Sequence, residues 1–376
     1  AVARAMRVDM EPAEQYVPFG CGEFVIAGQS TGTPNTCINL LKLLTIALNE
    51  GVDPMDGIKK SGPVPMKPVS ELKTFDELYA QYKALLEYYF DLSVKAQTYS
   101  YEVMDREVSF LFTSLLMDDC IERGKAVLDG GVRYLGGTNE TYGNINVSDS
   151  LSAIKHFVYD THEYTLQQIV DATRANFEGY ELMRRRLWEY DKYGNDIPEI
   201  DDFANEFFEY VANGIRDRGI AAGMQYYLIV ISNNQLNTEW GRRTGASPDG
   251  RYAGQYMNPA NNPQGGASRN GPTAVLNSLA RFDAGLHGGS VQNIKFSTNF
   301  FRENRDKIKA MFKTYFKRGG CHVMVTVIDK GVLEKARAKP EDYEDLIVRV
   351  SGFSAVFVHL EPDVQDELMS RVMYDE

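Results

Sequence analysis

The chain has 376 residues, 43% of them apolar and 24% charged, which is enough for one large core and two or three domains. With 40 basic against 52 acidic side chains the formal charge is −12, and no long basic run interrupts the sequence. That balance argues against nucleic acid and anionic membrane surfaces as partners. No stretch of 18 uncharged apolar residues occurs, Asn39 to Leu48 being too short and carrying Lys42, and no leader peptide is evident. A cytoplasmic location is the expectation.

Taken in order, residues 1 to 20 are mixed, with Pro12 and Pro18 opposing a helix, and lead into Gly20-Cys21-Gly22-Glu23. Glycine on both sides of a cysteine allows a tight, finger-like loop. Pro34-Asn35-Thr36 predicts a helix start, and Ile38, Leu40, Leu41, Leu44 and Leu48 give its apolar face up to Gly51. Residues 52 to 72 hold four prolines and read as a surface connection. Thr74-Phe75-Asp76-Glu77 opens a long helical region to about Leu128, with breaks expected near Thr98 to Tyr101 and at Met117 to Asp119. Its tyrosines and phenylalanines at helical spacing read as packing.

Gly130 to Ser150 is rich in glycine and polar residues and follows Val132-Arg133-Tyr134, a predicted short strand; it reads as a loop of the kind that lines sites, with Glu140 inside it. Asp149 is expected to open a helix through Phe157, Thr165-Leu166-Gln167-Gln168 is a capping box, and Phe203 to Ile215 is a further helix. Arg184 to Arg186 reads as a solvated face, and Lys192 to Asp196 as a turn. Tyr226 to Ile231 is an apolar β run buried on both faces, and His322 to Asp329 a later strand. Ile347 to Phe357 is apolar and β-prone with Gly352 at its middle, which local rules alone read as a bulge or a close backbone approach.

The four cysteines, Cys21, Cys37, Cys120 and Cys321, form no CxxC pair, and the five histidines show no HxxxH spacing, so neither a zinc nor an iron–sulfur site is suggested. Cys37, Cys120 and Cys321 read as core thiols. Cys21 differs, standing between two glycines and two residues before a carboxylate. His287, within the glycine-rich Gly285 to Gly289, is the histidine most open to a functional role.

Gly20-Cys21-Gly22-Glu23, Ser247-Pro248-Asp249-Gly250-Arg251, Gln264-Gly265-Gly266-Ala267, Asn270-Gly271-Pro272-Thr273-Ala274-Val275, Lys295-Phe296-Ser297 and Arg349-Val350-Ser351-Gly352-Phe353 occur in this order. Together they resemble the glycyl radical enzymes, the family that includes pyruvate formate-lyase, glycerol dehydratase and choline lyase. The resemblance implies an α/β fold, one half of a ten-stranded α/β barrel of the glycyl radical enzyme type with many helices around buried loops. Residues 1–330 would be the C-terminal half of that barrel with the cysteine loop, and residues 331–376 the glycine radical domain. The chain starts Ala-Val-Ala-Arg-Ala-Met. It is therefore expected to be one piece of a divided enzyme or to lack an upstream segment.

What the resemblance implies chemically is a protein-based radical on Gly352. A Cα radical is delocalised only when its amide and carbonyl neighbours become coplanar, which glycine, lacking Cβ, does not oppose. A separate activating enzyme using S-adenosylmethionine and an iron–sulfur cluster would install the radical, so no metal or organic cofactor need reside in this chain. Cys21 would pass the radical to a small-molecule substrate, and Glu23 would act as base in an elimination of the dehydratase or C–N/C–S lyase type. The neighbour of Cys21 is glycine and not a second cysteine, which disfavours acyl transfer. Gly-Cys-Gly-Glu-Phe departs from the more usual Gly-Cys-Val-Glu-Pro. If Glu140 enters the site it adds a second carboxylate, which would suit an arylacetate decarboxylase; a third reading is a non-catalytic, radical-bearing subunit. Arg349 is expected to anchor the Gly352 loop by hydrogen bonds. The expected partners are the activating enzyme, the N-terminal half of the barrel as a separate chain or a missing segment, and further copies in a homo-oligomer of the assembled enzyme.

Overall fold

The computed structural model describes residues 1–20, 22–32, 35–231 and 235–375. Its centre is a parallel sheet of β3 (Asn35–Asn39), β4 (Gly136–Tyr142), β5 (Tyr226–Ile231) and β6 (His287–Ser290), in that spatial order. Parallel neighbours need crossovers, and long helices supply them. Leu40–Leu48 and Phe75–Glu107 lie between β3 and β4, and Asn144–Ile154, Leu166–Arg174 and Pro198–Ala221 between β4 and β5. Strand β5 is buried along its whole length, as its unbroken Tyr-Tyr-Leu-Ile-Val-Ile run requires.

A second parallel sheet joins β7 (Asn293–Phe296) to β8 (Met324–Val327) and β11 (Met373–Tyr374). Two antiparallel hairpins complete the strands, β1 (Tyr16–Phe19) with β2 (Glu23–Ile26), and β9 (Ile347–Arg349) with β10 (Ser354–Val356). The α/β class expected from the sequence is thus observed, with parallel strands and many helices. No helix among the described residues is long and apolar enough to cross a membrane.

Several local expectations are corrected. Residues 35 to 39 form β3, and the helix starts only at Leu40, where the Asn39 side chain caps it by accepting from Lys42 N at 2.9 Å. The capping box at Thr74 and Glu77 is present, but the helix it opens runs unbroken to Glu107. The hydroxyls of Thr98 and Ser100 bond back to the Val94 and Ala96 carbonyls instead of ending the helix. The largest difference is Gly136 to Tyr142: a buried central strand, not a loop, while the predicted strand at Val132 to Tyr134 reduces to a bridge between Tyr134 and Ser30. Its glycines are what the sheet needs there. A Cβ on Gly136 would lie 2.3 Å from the Tyr226 ring, so only glycine lets that tyrosine fold over β4. The helix expected from Asp149 accordingly starts at Asn144.

Candidate functional site

The four strands of the central sheet align one row of residues, Cys37 opposite Glu140, Glu140 opposite Val230 and Val230 opposite Gly289. Side chains alternate across a strand, so Tyr226, Leu228, Val230 and Glu140 share one face, while Tyr227 and Ile229 point to the helices. Gly219 of helix Pro198–Ala221 packs on Tyr227 on that helical side. The first face receives the β1–β2 hairpin: Phe24 and Ile26 form an apolar cluster with Tyr226 and Leu228.

Glu23 stands at the start of β2 and is 4% exposed. Its backbone lies over the sheet where β6 has no side chain, since a Cβ on Gly289 would be 2.9 Å from Gly22 O and 3.2 Å from Glu23 Cα. Glu140, 6% exposed, is two strands away in the same row, about 10 Å along the sheet at a strand spacing of about 4.8 Å. Glu140 is therefore no exposed loop residue. Asn35 Nδ2 donates to its Oε1 at 3.0 Å, the Tyr142 hydroxyl donates to its Oε2, and Cys37 Sγ lies 4.0 Å from that same oxygen. Burial, and then the nearby Glu140 charge, push the Cys37 thiol up to about 12. Cys37 is half-buried and Cys120 buried, both free.

Cys21 lies outside the described residues. What brackets it in sequence is described: Gly20 at φ +54 and Gly22 at φ +110, backbone that other residues rarely adopt. The imidazole of His322 occupies the place of a side chain at position 22, with Cε1 2.6 Å and Nδ1 2.8 Å from where a Cβ would be. Desolvation, and then the charge of Arg349, lower the His322 pKa. His287 is a buried core imidazole, set between Phe24 and Phe282 at ring distances of 5.9 and 5.0 Å. Its Nδ1 accepts from Gly289 N at 3.1 Å, Cys321 Sγ lies 3.8 Å from its Nε2, and burial pushes its pKa down to about 4. Tyr16 packs edge-on against Phe24 at 5.4 Å; burial and then the Cys321 and Glu23 charges raise its pKa.

Gly352 sits in the turn between β9 and β10, half-buried, between a buried Ser351 and an exposed Phe353. Ser354 pairs with Arg349 across the hairpin, and Val350 N donates to Phe353 O at 3.0 Å to close the turn. The turn is held from behind: Arg371 donates to Val350 O at 2.7 Å and ion-pairs with the buried Glu367. Arg349 touches the hairpin itself, donating to Ser354 Oγ at 3.3 Å. Lys295 of β7 donates to Leu368 O at 3.0 Å, tying the helix Pro362–Ser370 to the second sheet. The sequence reading passed over Tyr16, Gly289 and His322. Only the Gly285 to Gly289 glycines were visible as unusual, and His322 stood alone with no spacing to mark it.

A family model described as pyruvate formate lyase-like matches residues 2–236, and one described as glycine radical matches residues 257–358. The chain belongs to the glycyl radical enzyme family. It is 31% identical over 355 residues to a trans-4-hydroxy-L-proline dehydratase of Clostridioides difficile, covering 94% of this chain and 45% of that protein. It is 29% identical to an indoleacetate decarboxylase of Tractidigestivibacter scatoligenes, covering 98% of this chain and 44% of the other. Among solved structures, the glycerol-bound B12-independent glycerol dehydratase from Clostridium butyricum superposes with a TM-score of 0.93 at 29% identity, covering all of this chain and 48% of that one. The chain thus spans about half the length of the curated relatives it matches.

Proposed function

We propose that this chain is the part of a glycyl radical lyase that carries both radical loops. The radical stored at Gly352 takes the hydrogen atom of the Cys21 thiol, leaving a Gly352 Cα–H bond and a Cys21 thiyl. The thiyl abstracts a hydrogen from a small hydroxylated substrate, Glu23 takes the proton of the hydroxyl beside the new carbon radical, and the β substituent leaves as water, amine or sulfite with that proton. The product radical takes back the thiol hydrogen, and the next transfer restores Gly352. The observation that carries this reading is the hairpin bracketing Cys21, which packs on the sheet face that bears the buried Glu140 and itself contributes the buried Glu23. Burial there keeps water and oxygen from the intermediates.

The presence of Glu140 supports a second reading, decarboxylation of an arylacetate, with both carboxylates lining the substrate. Products separate the two: carbon dioxide from an aromatic acid favours decarboxylation, an aldehyde or alkene from a hydroxylated substrate favours elimination. A non-catalytic, radical-bearing subunit is the third, and full activity in a Cys21→Ala enzyme would establish it. The partners of this reading are a separate activating enzyme, residues forming the other half of the barrel against the open strand edges, and further copies of the assembled enzyme. Residues 331–376 act as the radical-bearing unit, and the setting is the cytoplasm.

The test is anaerobic activation of the assembled enzyme followed by air. Oxygen cuts a glycyl radical at its own residue, so mass spectrometry should find a break at Ser351-Gly352 and loss of residues 352 to 376. An intact chain with no organic radical signal beforehand sinks the reading.

A further inference from the structure

We infer that His322 is a positioning residue that fixes the backbone at Gly22, beside Cys21, for hydrogen transfer between Cys21 and Gly352. The inference rests on the radical chemistry proposed above. Its ground is the contact between His322 and Gly22. The flat edge of the imidazole, Cε1 and Nδ1, lies within 2.8 Å of where a Cβ on Gly22 would stand, so ring and side chain exclude each other. The side-chain space that glycine leaves open at position 22 is the space the ring fills. From beneath, the loop meets a second close approach, Gly289 against Gly22 O. The backbone next to Cys21 is thus clamped between β6 and an imidazole.

The imidazole is itself held. The Tyr315 hydroxyl, 2% exposed as a residue, contacts His322 O at 3.2 Å, and Met324 N, two residues on, donates to Gln292 O at 2.7 Å. His322 thus precedes β8 on a fixed stalk. The charge of Arg349, three residues before Gly352 and in the strand that leads to it, also acts on the ring. His322 Nδ1 is buried and has no hydrogen-bond partner among the described residues, which leaves its polar edge facing the loop. Burial and then the Arg349 charge favour the neutral ring, outweighing a hydrogen bond with the Ser290 backbone that works the other way. A neutral, flat, rigid group against Gly22 fixes the backbone beside Cys21, and hydrogen transfer depends steeply on such placement.

The experiment uses the assembled, activated enzyme with His322→Ala, His322→Leu and His322→Gln. Transfer between Gly352 and a solvent-exchangeable thiol in D2O replaces the Gly352 Cα hydrogen by deuterium, which collapses the doublet of the glycyl radical spectrum to a singlet. We expect radical yield within about twofold of the parent in all three variants. In His322→Ala and His322→Leu both the collapse and substrate turnover per radical should slow at least tenfold, and His322→Gln, which keeps a flat polar group, should recover most of both. Leucine keeps bulk behind the loop, so it carries the test if the alanine variant does not fold. Parental collapse and turnover in the truncated variants overturn the inference. So does a fall in radical yield that accounts for all of the lost activity, because that places the histidine in activation or folding. Absence of any radical in the unmodified enzyme would instead overturn the Gly352 reading, and the inference with it.

Discussion

The two hairpins that bracket Cys21 and carry Gly352 are built alike and attached differently. Both are short antiparallel pairs with glycine at or beside the turn. The β1–β2 hairpin is fixed by apolar packing, Phe24 and Ile26 lying on Tyr226 and Leu228 of the central sheet. The β9–β10 hairpin shares a small core of its own, with Leu333, Ala336, Val348, Val350, Phe357, Val364 and Leu368, and this unit is joined to the sheets by side-chain ties from Arg242 and Lys295 and by the β11–β7 pairing. Apolar contact is non-directional and has no cheap intermediate once broken, whereas a few hydrogen bonds and ion pairs exchange readily with water. If Cys21 and Gly352 have the proposed roles, the loop that would hold the substrate-facing thiol is welded to the sheet, and the loop that would be reached by an activating enzyme is tied largely by bonds that water can replace.

That comparison is broken most severely at the loop tips. Gly352→Ala should abolish both the radical spectrum and cleavage in air. Cys21→Ala should leave the radical and the cleavage intact while turnover disappears. If both variants lost the radical, the two loops would not be separable steps of one path. Between these extremes, Glu23→Gln should reduce turnover by about 10²–10⁴-fold, the range expected for a lost general base, at unchanged radical yield. Glu140→Gln should change KM more than kcat if that carboxylate only lines the pocket; a comparable loss of kcat from both variants would give Glu140 a share in the chemistry.

Stability separates the attachments next. Phe24→Ala should cost about 3–5 kcal/mol, because the ring is 6% exposed and leaves a cavity on the central sheet, and the loss should show as a lower global melting temperature. Arg371→Ala strands Glu367, whose side chain is 1% exposed, and also removes the donor to Val350 O. Breaking a buried pair costs about 3–5 kcal/mol, but here hydrogen exchange should accelerate in residues 347 to 370 while the central sheet keeps its protection. Uniform acceleration would mean that the small core is no separate unit.

How far the sequence led follows from what kind of information each residue carries. β5 was legible because six consecutive apolar residues can only be a strand buried on both faces. The capping boxes at Thr74 and Thr165 were legible because they are local chemistry. β4 was not: Gly-Gly-Thr-Asn-Glu-Thr-Tyr has loop composition, and it becomes a strand because Tyr226, some 90 residues later, needs the space that Gly136 leaves. The error carried over to Glu140, whose burial follows from its strand. Cys21, Glu23 and Gly352 were singled out through their resemblance to family motifs, not through any local rule. His322 lay beyond reach for a different reason, since its partner Gly22 is 300 positions away and glycine gives no hint of what fills its empty side.

The smallest effect tests the weakest tie. Arg242 donates from Nε and Nη2 to both oxygens of Asp363, each at 2.5 Å, joining the helix Leu236–Arg242 to the first turn of Pro362–Ser370. Both partners are partly open to water, 48% and 30% exposed, so solvent screening leaves such a pair worth less than about 1 kcal/mol despite its two-pronged geometry. Arg242→Ala should therefore leave the melting temperature within a few degrees of the parent. Its consequence should appear in access to Gly352: a tie across the two units resists their separation, so its loss should raise the rate of activation, and about 0.5 M salt should raise the parent's rate toward that of the variant by screening the same pair. A variant activated no faster than the parent, at low salt as at high, would show that the hairpin of Gly352 is reached without parting these two helices, and the contrast between a welded and a tied loop would then rest on Lys295 and the short β11–β7 pairing.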